Sequence, residues 1–367
     1  MLLEKSLRDE GKLLDIYANI TGLSYTPFLC KKLDTFNFDE LDAALSKRAT
    51  FKLRRDLQEI AVSWWVSSKR TRSYPYARIY DSLNFGGKKV TIIPIVKDEG
   101  KDGDRDYLEW DTISLMSLLG VYSIISYYKS ASRSQRYKNK ITRQRFDIEH
   151  VKSEIEKLLS HRSDALHWNL SQVDNVGELS KRALNSYDEI SRELGVEMHS
   201  SASALKRIEL LSEGKDAFMN LSRDLVKKAQ ERESVTIQPK EKLEGAKAKL
   251  TIKNYLGGYY YLTCDEVEIH GKTVYLIEGK HTRAARVPSL GDIKDGLLRM
   301  MLYTNLKNVT INGERYSHIP ILKLTTEEGF NIELLSDRQR DLLKILGKEA
   351  NANGFRLLIN NHDFVTF

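Results

Sequence analysis

The chain has 367 residues, 41% of them hydrophobic and 30% charged, enough for two domains of ordinary size. No apolar run approaches the length of a membrane span, charges in the amino-terminal MLLEKSLRDEGKLLD occupy the place of a signal peptide's apolar core, and two cysteines, Cys30 and Cys264, exclude a disulfide framework or a cysteine-based zinc site. A cytoplasmic protein without membrane contact is expected, and the formal net charge of +7 favours a polyanionic partner.

Residues 1–68 read mainly as helix: LLEKSLRDEGKLLDIYANI, then Phe38 to Ala49 with Asp39 as cap, then Lys52 to Trp65, with Trp64 and Trp65 packed in a core. Next, Lys69, Arg70, Arg72 and Arg78 interleave with Tyr74, Tyr76 and Tyr80. Cations for phosphates and rings for stacking suit a nucleic-acid contact, and a solvated loop entering a strand is the plain alternative. Ala77 to Leu83 and Lys89 to Val96 read as strands. The acidic stretch after them, with Asp98, Glu99, Asp102, Asp104 and Asp106, fails as a calcium loop. Starting at Asp102, the glycine and glutamate positions hold Tyr107 and Ile113. It reads as a solvated turn and ranks second for metal chemistry. A helix, Trp110 to Leu118, and a strand, Gly120 to Tyr128, complete an N-terminal α/β region, residues 1–128.

From Lys129 to Phe146 the chain carries Lys129, Arg133, Arg136, Lys138, Lys140, Arg143 and Arg145 and no acid, which points to phosphate contact. Asp147 to Glu233 is helical in pattern, with breaks at Asp174-Asn175 and Gly195. His150, His161, His167 and His199 have no metal-ligand spacing. Residues 129–235 thus read as a basic segment and helical region for DNA contact or dimerisation.

In residues 236–367 the expected order is a helix, Lys240 to Ala248; a strand, Lys249 to Leu256; a hairpin, Tyr259 to Arg283; a helix, Asp292 to Leu306; and a strand, Ile319 to Thr325. A helix, Asp337 to Ala350, and a strand, Phe355 to Ile359, follow. The hairpin turns at His270-Gly271 or Gly271-Lys272; the second places Asp265 opposite Glu278, the first one step diagonal to it. In either register Thr263, Asp265, Glu278 and Lys280 share a face. The plain alternative is a cross-strand surface pair worth about 0–1 kcal/mol. VYLI, ahead of Glu278, is apolar on both faces, as in a buried central strand.

This α-β-β-β-α-β order, with an acid on the second strand and Glu278-Gly279-Lys280 on the third, resembles the PD-(D/E)XK nuclease superfamily, to which most type II restriction endonucleases belong. The resemblance covers roughly residues 240–325; Cys264 stands where the superfamily often has proline. It implies a mixed α/β fold: a restriction-endonuclease-like αβββαβ core, a large helical insertion and an N-terminal α/β region. It implies Asp265, Glu278 and Lys280 as catalytic residues, with Mg²⁺ on Asp265, Glu278 and the Gly279 carbonyl. Glu241, Glu244 and Glu268, the last read on the Asp265 face, are candidates for further metal contacts. Arg283 and Arg286, with His281 and Lys294, are candidates for phosphate. The implied function is Mg²⁺-dependent, sequence-specific cleavage of double-stranded DNA by a homodimer, with a cognate DNA methyltransferase in the same system. Two alternatives stand beside it: a non-enzymatic nucleic-acid-binding or adaptor protein, and a repair or transposition nuclease on the same fold.

Overall fold

The computed structural model describes residues 14–68, 73–200, 246–254, 259–283, 286–326 and 330–364. The chain divides into two units, residues 32–224 and residues 1–31 with 225–367. Both are mixed α/β in makeup, and no helix among the described residues is long and apolar enough to cross a membrane.

The first described element, β1 (Leu14–Ile20), corrects the helical expectation over its own residues, and the earlier part of that expected helix lies outside the described residues. Leu14, Ile16, Ala18 and Ile20 are buried and alternate with Asp15, Tyr17 and Asn19, which is the period of a strand.

In the unit of residues 32–224, β2 (Thr35–Asn37) leads through a 3-10 turn into α1 (Leu41–Lys47). The backbone N–H of Asn37 donates to Glu40, so Asn37 rather than Asp39 stands at the cap. Lys52 to Trp65 is a hairpin, not a helix: β3 (Thr50–Arg55) and β4 (Gln58–Trp64) turn at Asp56, whose φ of 53° a short polar side chain tolerates. Trp65 is fully buried, as expected. The strand expected at Ala77 to Leu83 is replaced by α2 (Ser73–Tyr80), which buries Tyr76, Ile79 and Tyr80 at helical spacing. Then come β5 (Lys89–Pro94), the small hairpin β6 (Val96–Asp98) and β7 (Arg105–Tyr107), α3 (Trp110–Leu118) and β8 (Val121–Ser126). The basic run forms a separate two-stranded ribbon, β9 (Tyr128–Arg133) and β10 (Ile141–Phe146). Three helices follow: α4 (Ile148–Ser160), α5 (Ala165–Asp174) and α6 (Val176–Leu194), the last closed by Gly195 at φ 59°.

The main sheet of this unit runs β2-β3-β4-β5-β8. Its β8 edge is capped by side-chain amides of α5: Ser123 N donates to Asn169 Oδ1 at 2.6 Å and Ile125 N to Gln172 Oε1 at 3.2 Å. Amides spaced three apart on a helix thereby substitute for a neighbouring strand on an otherwise open edge.

The other unit continues β1 with β11 (Ala246–Asn254), whose start replaces the end of the helix expected over Lys240 to Ala248. Next come β12 (Tyr259–His270), β13 (Thr273–Thr282), α7 (Leu290–Tyr303), β14 (Lys307–Ile311), β15 (Glu314–Arg315) and β16 (Ser317–Thr326). After these are α8 (Asp337–Asn353), β17 (Arg356–Ile359) and β18 (His362–Asp363). One sheet gathers all these strands in the order β15-β14-β1-β11-β12-β13-β16-β17-β18. β11, β12 and β13 form an antiparallel meander, and β13 pairs in parallel with β16. β13 therefore has strands on both sides, as its apolar VYLI requires.

Candidate active site

The β12–β13 hairpin turns at Gly271-Lys272, with Gly271 at φ 61°, and pairs His270 with Thr273 through Glu266 with Ile277. Of the two registers, this is the one that leads Asp265 toward Glu278. The next step of the ladder is altered. A bulge interrupts the pairing of β12 with β11 between Cys264 and Val267, and Gly279 N donates to the Asp265 carboxylate at 3.0 Å. Asp265 is thus fastened to the backbone between Glu278 and Lys280. A bulge that re-aims a side chain is a common device beside reactive sites.

Glu278 and Lys280 lie on one face of β13, and α7 brings in the rest of the group. Ser289 accepts from Asp292 N and starts the helix, whose buried face carries Asp295 and Arg299 one turn apart. Lys280 Nζ donates to Glu278 Oε1 at 2.9 Å and to Asp295 Oδ2 at 2.6 Å, and Arg299 Nε lies 4.0 Å from Glu278 Oε1. Gly296 makes room for the lysine stem: a Cβ there would lie 2.7 Å from Leu322 Cδ1 and 3.2 Å from Lys280 Cε.

Burial opposes the charge on Lys280, but Glu278, Asp295 and Asp265 outweigh it and hold the ammonium well above its ordinary range. Asp295 is shifted upward by burial, against the pull of Lys280 and Arg299. Cys264 is buried and its thiol is pushed up, so it stays a neutral packing group.

Three carboxylates and two cations leave the group one negative charge in its fully ionised state. Glu278 is only 4% exposed, and its Oε2 has no hydrogen-bond partner among the described residues. A buried carboxylate oxygen left in this state is costly, and a hard cation would compensate it. Among the described residues, no three His, Cys, Asp or Glu side chains form a ready cage. Two carboxylates suit a hard cation such as Mg²⁺, which keeps several waters, and Asp265, Glu278 and the Gly279 carbonyl would be the residues to hold one.

Glu268 does not join them. It shares with Glu266 and His270 the face opposite Glu278, because residues three apart on a strand diverge, and its exposed carboxylate lies 3.3 Å from His270 Nε2. On that opposite face, Glu266 and Lys323 form a buried ion pair at 3.1 Å. Glu241 and Glu244 lie outside the described residues, as do Lys69, Arg70 and Arg72. Arg78 stacks over Trp64 at 4.4 Å and donates to the Trp64 carbonyl, which gives it a packing role. Arg283 and Arg286 are exposed, while Lys294 is buried and His281 Nδ1 lies 3.0 Å from Thr325 Oγ1.

The acids past β6 have other uses. Asp98 accepts from Gly100 N and contacts His199 Nδ1 at 2.7 Å, Asp102 accepts from Asn139 N, and Asp106 accepts from Ser67 Oγ. Glu99 sits between Lys97 and Lys140; despite the opposing effect of burial, their hydrogen bonds and charges hold its carboxyl at about 2.

Asp295 and Arg299 escaped the sequence reading. The available signal was a charged pair spaced i, i+4 on the apolar side of DIKDGLLRMMLY. No family model matches the chain, and neither a curated protein nor a solved structure proves similar to it.

Proposed function

We propose that the chain is a Mg²⁺-dependent endonuclease of the type II restriction kind, hydrolysing phosphodiester bonds in double-stranded DNA on a PD-(D/E)XK-like core. The carrying observation is the convergence of Asp265, Glu278 and Lys280 at the end of a central hairpin, with one Glu278 oxygen buried and lacking a hydrogen-bond partner among the described residues. The meander β11-β12-β13, followed by α7 and the parallel strand β16, supports the core assignment.

When bound, the cation would polarise a phosphoryl oxygen and lower the pKa of a water. Lys280 stays protonated among its carboxylates, so its part is to donate hydrogen bonds and offset the negative charge that grows on the phosphate. Asp295 fixes the ammonium from α7, and Arg299 adds positive charge behind Glu278. A homodimer would present two such centres to the two strands of a palindromic site.

Incubation of the purified protein with DNA of diverse sequence and Mg²⁺ tests this reading. The wild type should cut, and Asp265→Ala and Lys280→Ala should each lose on the order of a hundredfold or more in rate. Equal cutting by all three, or DNA binding with no cutting by the wild type, would instead favour contamination or a binding protein without nuclease activity.

A further inference from the structure

The β9–β10 ribbon belongs to the unit of residues 32–224 and collects most of the basic run. Two of its seven cations are spent within the protein, Lys129 on Glu189 at 2.7 Å and Lys140 on Glu99 at 2.9 Å. Arg133, Arg136, Lys138, Arg143 and Arg145 are exposed and pair with no carboxylate among the described residues. Several nearby acids are engaged elsewhere: Glu99 with Lys97 and Lys140, Glu197 with Lys101, and Asp102 with the Asn139 N–H.

The ribbon is braced. Tyr128 and Phe146 stack at its base with centroids 4.6 Å apart, Ser186 Oγ donates to the Tyr128 carbonyl, and Ile141 N donates to the Glu99 carbonyl. Ser134 N closes the far end on Lys140 O. Between Thr142, opposite Ser132, and Arg145, opposite Ser130, the register slips by a bulge, and Arg143 sits there at φ 52°. An arginine is disfavoured in that left-handed conformation, and a glycine would occupy it without strain. Gln144 turns inward to the Asp98 carbonyl while its two arginine neighbours are exposed. The Arg143 side chain is thus exposed on a backbone conformation that glycine would adopt more easily.

We propose that this ribbon enters the major groove of double-stranded DNA, where Arg143 reads a base edge and Arg133, Arg136, Lys138 and Arg145 hold flanking phosphates. The choice of partner rests on the nuclease reading, and three physical points support a duplex. The B-form major groove admits a two-stranded ribbon, and arginine is the side chain that binds guanine O6 and N7 in a fork. The A-form RNA major groove is too narrow for it. Single strands need successive aromatic platforms, whereas Tyr137 is the one exposed ring on the ribbon, and it lies near Arg136 and Lys140 at 6.0 and 5.7 Å.

The test is selection from a pool of random-sequence duplexes by the full chain, with Ca²⁺ present and Mg²⁺ absent, for wild type, Arg143→Gly and Arg143→Lys. The wild type should enrich a motif containing guanine. Arg143→Gly should unfold at the same or a higher temperature, still bind duplex at low salt, and lose about tenfold or more in affinity for the enriched sequence, with loss of preference at one base pair. Arg143→Lys should show the same loss, since it keeps the charge without the fork. Replacing the four flanking cations with alanine should flatten the salt dependence of log Kd by about 0.9 for each phosphate contact removed. No enriched motif, an unchanged motif in Arg143→Gly, or stronger competition by single strands or RNA would overturn the proposal. Cleavage is not read, so absence of nuclease activity would leave this result to stand or fall by itself.

Discussion

An ammonium beside one carboxylate is an ordinary ion pair, but Lys280 is shared between Glu278 on its own strand and Asp295 on the helix above. Two acceptors fix its position in a way one flexible contact would not, and Gly296 lets the helix approach closely enough to provide the second. Gly296→Ala should therefore separate activity from stability. Alanine gains roughly 1 kcal/mol in helix propensity and loses about 1–3 kcal/mol in overpacking, so the fold should survive. Displacement of Lys280 by even a fraction of an ångström should cost cutting rate, by up to about a hundredfold. Unfolding curves and initial rates on one preparation would check this, and unchanged rates would show that the close approach is not needed. At this scale Asp265, Glu278 and Lys280 were legible because strand period two and the turn position determine their neighbours. Asp295 and Arg299 were not, because their contribution depends on where a helix docks across the sheet.

Several elements fall where the sequence analysis expects them: α3, β5, β8, α8 and the breaks at Asn175 and Gly195. β3 and β4 lack a hairpin signal because the turn at Asp56-Leu57 has no glycine, and α2 resembles a strand in sequence because its buried tyrosines and isoleucine also have high strand propensity. Glu268 lies on the face opposite Glu278, not on the expected Asp265 face, because three residues along a strand is an odd step. The face it occupies has a structural purpose, carried by Glu266 and Lys323, which are 1% and 5% exposed. Lys323→Met alone removes the cation paired with the buried Glu266 carboxylate and should cost about 3–5 kcal/mol, whereas the double change Glu266→Leu with Lys323→Met should cost less. Urea titration of the two variants measures this difference; equal losses would mean that the pair acts through packing rather than charge.

At the scale of the whole molecule, the central sheet is assembled from distant parts of the chain. β1 comes from the amino-terminal residues and lies between β11 and β14, and β14 itself separates α7 from β16 in sequence while pairing at the opposite side of the sheet. Such pairings have no local signal, which is why the meander and β16 could be read from the sequence while β1 and β14 could not. The sheet gives β13 neighbours on both sides and so buries Glu278, leaving a carboxylate oxygen without a hydrogen-bond partner among the described residues. Occupancy of that carboxylate by a divalent cation is the central claim, and the thermal unfolding midpoint as a function of Mg²⁺ tests it most directly. Wild type should gain stability with Mg²⁺, about 2.7 kcal/mol at a hundredfold excess over Kd. Glu278→Gln, which removes the buried charge, should match or exceed the wild type without the cation and gain nothing when it is added. Equal Mg²⁺-induced gains in both proteins, or none in the wild type, would contradict the account.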